Sequence, residues 1–316
     1  MIRDPEDLFA RLQLNPAERP DLSAALNSFP LRVTEAFVAK MRPGDWQDPL
    51  LLQVLPQQAE TETPLGYSDD PLEEANANPI PGLIHKYHGR VLLITSPACA
   101  IHCRYCFRRN FPYNDNRPGL AEWQQAIDYI AARPDISEVI LSGGDPLSLP
   151  DDYLASLRDR LAAIDHVTTL RLHTRMPVVL PARITTALLD SLTHPSLRTV
   201  VVVHANHANE LDTHSEASLR ALSQQGFTLL NQSVLLRGIN DDPAILATLS
   251  RRLFDCGVLP YYLHVLDKVT GASHFERSDS DASTIAEALL AELPGYLVPK
   301  LVRETPGALS KRPLAL

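Results

Sequence analysis

Cysteine is scarce in this chain of 316 residues: there are four, and three of them, Cys99, Cys103 and Cys106, crowd into one short stretch. Such sparing use argues against a disulfide framework and suits a reducing cytoplasm. Lysine is scarcer than the charge suggests, because only Lys40, Lys86, Lys268, Lys300 and Lys311 occur among 29 basic residues. Any chemistry that needs a primary amine therefore has few candidates. No apolar run approaches the roughly 20 residues of a membrane span, and "VVVVH" at 200–204 has only the length of a strand. The start "MIRDPEDLF" carries acids where a secretory leader has a basic region and an apolar run. Positive charge is in deficit as well. A net charge of −9 argues against a broad nucleic-acid-binding surface while leaving room for a local basic pocket.

What is present is ordinary globular material, 45% hydrophobic and 21% charged, in a chain long enough to bury a full core. In the first 80 or so residues, "DPEDLFARLQL" and "FPLRVTEAFVAKM" have apolar residues at helical spacing, and Asp4-Pro5 reads as an N-cap followed by proline at the first helical position. The next stretch, "DPLLLQVLPQQAETETPLGYSDDPLEEANANPIPG", is rich in proline and acid and keeps no period, so it is expected to wrap the following unit irregularly.

A rhythm then begins. Strand-like runs occur at 90–95, 137–142, 168–173, 197–204, 227–233 and 260–266, separated by helix-like segments such as "LAEWQQAIDYIAAR" and "PAILATLSRRLFDCG". Six alternations predict parallel βα units with right-handed crossovers, an α/β fold short of the eight units of a closed barrel and best read as a (β/α)6 partial barrel. A last strand-like run, "YLVPKLVRE" at 296–304, precedes the tail. The expected division is 1–84 for the helical and irregular N-terminal region, 85–305 for the core and 306–316 for the C-terminal segment.

The distinctive residues follow strand ends, where α/β folds build their sites. The cysteines follow the first run, "SGGDP" (142–146) ends the second, "HANHANE" (204–210) the fourth, "NQS" (231–233) the fifth, and Asp267 follows the sixth. Three thiolates spaced Cys-x3-Cys-x2-Cys allow two readings. Zinc would need a fourth ligand, with Cys256 or His102 the candidates. An iron–sulfur cubane held by three cysteines instead keeps one iron open for chemistry. Cys256, at a helix end, reads as a buried structural thiol.

The spacing resembles the signature of radical S-adenosylmethionine (SAM) enzymes, with Tyr105 as the aromatic before the last cysteine. The resemblance implies a radical SAM partial barrel and a [4Fe–4S] cluster on Cys99, Cys103 and Cys106. It further implies that Ser142, Gly143, Gly144, Asp145, His204 and Gln232 contact SAM. The stretches "PGLIHKYHGRVLLITSPACAIHCRYCFRRNF", "VILSGGDPL", "NQSVLLRGIND", "YYLHVLDKVTGASHF" and "PGALSKRPL" resemble the lysine 2,3-aminomutase family from about residue 45 onward. That family moves the α-amino group of L-lysine to the β-carbon with SAM, the cluster and pyridoxal 5′-phosphate (PLP). By this resemblance Lys311 is the catalytic lysine that forms the Schiff base with PLP, Tyr87 and Arg90 lie near PLP, Arg108 pairs with the substrate carboxylate, and Asp267 and Glu304 bind its distal ammonium. Glu304 stands where the family has aspartate, and the family's glycine run before the lysine is reduced to Gly307. The short tail after Lys311 and these variations resemble the branch that supplies (R)-β-lysine for modification of translation elongation factor P. The expected partners are L-lysine, an electron donor protein and, functionally, an elongation factor P lysylation enzyme. The reading places the chain in the cytoplasm, includes neither nucleic acid nor membrane, and allows a homo-oligomer.

Two alternatives stand beside it. One keeps the chemistry with another amino acid, although two acids at 267 and 304 would repel the side chain of glutamate. The other is a zinc-binding interaction protein on an α/β scaffold.

Overall fold

The computed structural model describes residues 1–18, 22–116 and 120–314. Its N-terminal part consists of short elements, each stopped by the sequence that begins the next. Asp4 caps α1 (Pro5–Arg11) by accepting the Glu6 N–H at 3.0 Å, with proline at the first helical position as expected. After α2 (Ser23–Ser28), helical structure within 29–41 is confined to α3 (Glu35–Val38), capped by Thr34. The apolar spacing of 29–41 suggests more helix than this. Val33 instead pairs with Ile2 in an isolated antiparallel bridge, and its neighbours are drawn into extended backbone. Asp48 caps α4 (Pro49–Leu52), and residues 53–82 run on as turns and 3-10 segments.

Nine strands form one sheet in chain order: β1 (Leu83–Tyr87), β2 (Arg90–Ser96), β3 (Glu138–Gly143), β4 (Thr169–Thr174), β5 (Arg198–His204), β6 (Thr228–Val234), β7 (Val258–His264), β8 (Lys300–Arg303) and β9 (Arg312–Pro313). Strands β2 to β8 are mutually parallel, and the two outer strands pair antiparallel with their neighbours. Each of the six expected runs lies on a strand of this parallel set, and the run at 296–304 supplies β8. Buried β-branched and leucine side chains on both faces, as in the "VVVV" of β5, are what a sheet covered by helices requires.

The crossovers carry α5 (Leu120–Ala131), α6 (Asp151–Ala162), the short α7 (Met176–Val179), α8 (Thr186–Leu192), α9 (Thr213–Gln224), α10 (Pro243–Asp255) and α11 (Asp279–Glu292). Their buried faces repeat at helical spacing: Leu154, Leu157 and Leu161 on α6, and Leu246, Leu249 and Leu253 on α10. Side-chain caps from Thr185, Asp212, Asp242 and Ser278 start four of them.

The sheet must be strongly curled. Nine strands laid flat would put the outer two about 38 Å apart at the usual inter-strand spacing. Side chains on or beside every one of the nine strands nevertheless line a single cavity of 450 Å³. Strands β1 and β9 are not paired with each other, so the curl is an open, partial barrel.

The N-terminal segment is fastened to the loop after β2 by buried ion pairs. Glu60 holds Arg104 through the Nε and Nη2 edge of its guanidinium and Arg109 at 2.8 Å, all essentially inaccessible to solvent. Gln53 O accepts the Arg104 N–H, and Arg32 O accepts the His102 N–H, both at 2.9 Å. Two of the arginines that surround the cysteines are therefore anchors.

Candidate active site

The loop after β2 carries Cys99, Cys103 and Cys106, all free and all facing the cavity. It lies against the end of β3, and this contact explains the paired glycines. Gly143 has φ +117°, and a Cβ there would stand 2.7 Å from Ser96 O; a Cβ on Gly144 would stand 2.5 Å from Ala98 O. The Gly144 and Asp145 N–H groups donate to those two carbonyls at 2.6 and 2.8 Å. The glycines thus let the cysteine loop seat on the sheet, where the sequence suggests close approach to a ligand. Asp145 lines the cavity with its carboxylate already engaged by Thr174 Oγ1, the Arg175 N–H and the Leu147 N–H, at 2.7, 2.7 and 3.0 Å.

Burial, reinforced by Asp145 and the neighbouring thiols, pushes the Cys99 thiol well up; burial and Cys103 raise Cys106 to about 11. Arg175, one residue beyond β4, donates to Cys103 Sγ and to Tyr105 Oη, both at 2.8 Å. Tyr105 stacks on His204 with ring centroids 5.6 Å apart and shares a 2.9 Å hydrogen bond with its Nε2. Burial and then Arg175 lower His204 to about 3, so its imidazole is neutral. Gln232 on β6 completes this side of the cavity.

The opposite wall is acidic and basic in alternation. Lys311 Nζ donates to Glu304 Oε2 at 2.5 Å, and Lys86 Nζ donates to Glu304 Oε1 at 3.2 Å. Burial pushes the Glu304 carboxyl up, but Lys311 and Lys86 outweigh it and hold the group well below the usual carboxylate range. Asp267 shows the reverse: burial, followed by repulsion from Glu304, raises it to about 7. Tyr87 and Arg90 face each other across the hairpin of β1 and β2, with the Arg90 guanidinium 4.8 Å from the Tyr87 ring centroid. Arg108 is buried, with its guanidinium on Glu74.

Every site residue that the resemblance implies lies on this one cavity, whereas His102 and Cys256, the candidate fourth ligands for zinc, do not. Glu74, Lys86, His173, Arg175, Tyr262 and His264 share it and were not anticipated. All but Glu74, which lies in the irregular segment before β1, sit in or beside the strands as single polar residues, and only the position of Arg175 immediately after a strand end could have pointed to it.

The residues fit the groups that the resemblance implies. Among the described residues no three His, Cys, Asp or Glu side chains converge closely enough to share a single metal ion. A polynuclear cluster anchors each thiolate on its own iron and tolerates wider spacing. The fourth ligands required for zinc are turned elsewhere: His102 stacks on Phe29 with its Nδ1 on Pro30 O, and Cys256 is buried in the core. Lys86 and Lys311 line the space a cofactor would fill, and so does His173, whose Nε2 is buried without a partner.

A curled parallel sheet with a three-thiol loop at its rim defines the radical SAM class. The radical SAM superfamily model matches residues 93–248. The crystal structure of Streptococcus suis SuiB bound to S-adenosylmethionine shares this fold, with a TM-score of 0.50 at 14% identity over 70% of this chain and 51% of that one. Over its full length the chain is 49% identical to the L-lysine 2,3-aminomutase of Escherichia coli (strain K12), covering 92% of that protein. It is 49% identical over 98% of its length to the L-lysine 2,3-aminomutase of Haemophilus influenzae, again covering 92%. The chain belongs to the lysine 2,3-aminomutase family. No described helix is long and apolar enough to cross a membrane.

Proposed function

We propose that this chain is an L-lysine 2,3-aminomutase that makes (R)-β-lysine in the cytoplasm, drawing electrons from a donor protein and supplying β-lysine for modification of elongation factor P. The observation that supports this reading best is the combination of charges on one cavity: the Arg108 cation, the Asp267 and Glu304 acids, and the Lys311 amine, all beside three free thiols. When bound, the cluster with SAM supplies radical generation, and PLP supplies a nitrogen carrier, for an amino-group migration that acid–base groups cannot perform on unactivated carbons.

The protein's own residues bind, orient and exclude water. Arg108 receives the substrate carboxylate on its planar fork. Asp267 and Glu304 receive the distal ammonium, and a negative pair there selects against amino acids with acidic side chains. Glu304 Oε2 holds the proton-bearing Lys311 Nζ in place until a cofactor takes that position. Tyr87 and Arg90 offer a ring face and a cation beside it. His204 and Gln232 line the thiol side, where the neutral imidazole of His204 can stand near a charged ligand without repelling it.

The direct test is anaerobic. The protein is reconstituted with iron and sulfide, then given PLP, SAM, dithionite and L-lysine, and β-lysine is resolved by chiral chromatography with mass detection. Formation of the R isomer is the expected result. SAM cleavage with lysine untouched would overturn the substrate assignment, and the S isomer would overturn the assigned hand.

The pH dependence follows from Asp267. Its carboxyl is neutral below about 7 in the free protein, and only the ionised form attracts the substrate ammonium. Lysine kcat/KM should therefore rise with pH through about 7 and fall toward tenfold per unit below it. Asp267→Asn should flatten that limb, which a pH–rate profile of both proteins measures.

A further inference from the structure

Glu74 belongs to the irregular segment before β1 and to none of the motifs that identify the site. Its carboxylate nevertheless accepts Arg108 Nε on Oε2 and Arg108 Nη2 on Oε1, both at 2.7 Å, with both side chains only about one-twentieth exposed. Ser142 Oγ accepts from Arg108 Nη1 at 3.1 Å, and the Phe107 ring centroid lies 4.7 Å from the guanidinium carbon. A guanidinium has five N–H donors in a fixed plane. Glu74 occupies the side edge and Ser142 takes one more hydrogen. One N–H remains on each Nη, and that of Nη2 lies on the end edge of the fork, the edge that suits a second carboxylate.

The charge count is equally specific. Lys86 Nζ stands 3.5 Å from Glu74 Oε1, so Glu74 lies between two cations. Glu304 shares Lys86 with Glu74 and is itself paired with Lys311, so the network holds three basic groups, Arg108, Lys86 and Lys311, against two carboxylates and can still attract an anion after Glu74 is in place.

We propose that Glu74 is the positioning residue that aims the end edge of Arg108 at the substrate carboxylate, which makes the N-terminal segment part of substrate recognition. This inference rests on the reading of Arg108 given under Proposed function. An arginine without that anchor would be free to change rotamer and would have to be ordered anew at each binding event.

Glu74→Ala in the reconstituted enzyme should raise KM for L-lysine by about 10- to 100-fold, the usual effect of losing a residue that orients a ligand-contacting group. It should change kcat less and leave iron and PLP content unaltered. Glu74→Gln keeps the shape and one acceptor and should recover part of the loss. Calorimetric titration with L-lysine should show the same weakening without turnover. A fall in KM would mean that Glu74 competes with substrate for Arg108, and an unchanged KM would mean that Arg108 needs no aim; either overturns the inference. If Glu74→Ala loses its cofactors or fails to fold, Glu74→Gln decides: a raised KM with full cofactor content supports the inference, and a normal KM overturns it. Arg108→Lys separates the two levels. If it leaves KM unchanged, the reading of Arg108 itself fails; if it raises KM while both Glu74 variants stay normal, only the positioning role fails.

Discussion

Lys311→Ala should abolish the visible absorbance of lysine-bound PLP and reduce β-lysine formation by about 10³-fold or more, a barrier increase of about 4 kcal/mol. The argument begins from the scarcity of lysine. Of the five in the chain, Lys40 is buried with its amine on Val178 O and Glu210 O, and Lys268 is half-exposed beside Glu276. Lys300 is exposed at the start of β8. Only Lys86 and Lys311 reach the cavity. Lys311 is held there by backbone. Strand β9 pairs with β8 through Val302 with Pro313 and Arg303 with Arg312, and the Leu314 N–H donates to Leu301 O at 3.1 Å. The amine therefore stands against Glu304 although the segment before it, with Gly307 at φ +70° and Leu309 largely exposed, is open to solvent. Lys86→Ala is the control, because Lys86 shares Glu304 and would be the alternative amine. It should keep the absorbance and lose activity only in part. If Lys86→Ala removes the absorbance and Lys311→Ala keeps it, the roles of the two lysines are reversed.

The barrel was legible because its strands are runs of β-branched and leucine residues bounded by polar strand ends, a pattern that depends on little beyond the chain itself. Strand β1 was not, because "LIHKY" is an outer strand with only its first two residues buried. Its place is set by the tight turn at His88-Gly89 that folds it onto β2. Helix α11 escaped because its buried face is half alanine, with Ala282 and Ala286 beside Ile285 and Leu289. The cysteines, the glycine pair and Lys311 carry local spacing and so can be read in order. Glu74 acts through a partner 34 residues along the chain and no local pattern marks it, whereas Arg175, whose contact lies 72 residues away, is marked only by its place after a strand end. The glycine pair shows a subtler limit. Its presence at a strand end was visible, but the atoms it makes room for belong to the cysteine loop.

Replacing any one of the three clustered cysteines, as in Cys103→Ala, should strip the reconstituted protein of most of its iron and reduce reductive SAM cleavage to background, a loss of at least about 10³-fold or roughly 4 kcal/mol. Three thiolates are the fewest that hold a cubane with one iron left open, and among the described residues no fourth thiol reaches the cavity. The loop is fixed on both sides of Cys103 and Cys106 by Arg104 and Arg109 on Glu60 and by Arg108 on Glu74. Its backbone therefore cannot swing another donor into place. His102 is held against Phe29, and Cys256 sits in the core at the end of α10. The two kinds of cysteine should consequently fail in opposite ways. The clustered thiols line a cavity, so their removal should leave thermal unfolding nearly unchanged while iron and sulfide are lost. Cys256→Ala removes a packed core side chain and should cost about 1 kcal/mol of stability with iron content intact. Iron analysis and a thermal melt on both variants measure the contrast. Iron retained in Cys103→Ala would mean that the cluster is held elsewhere, and the assignment of the open iron to this loop would fall with it.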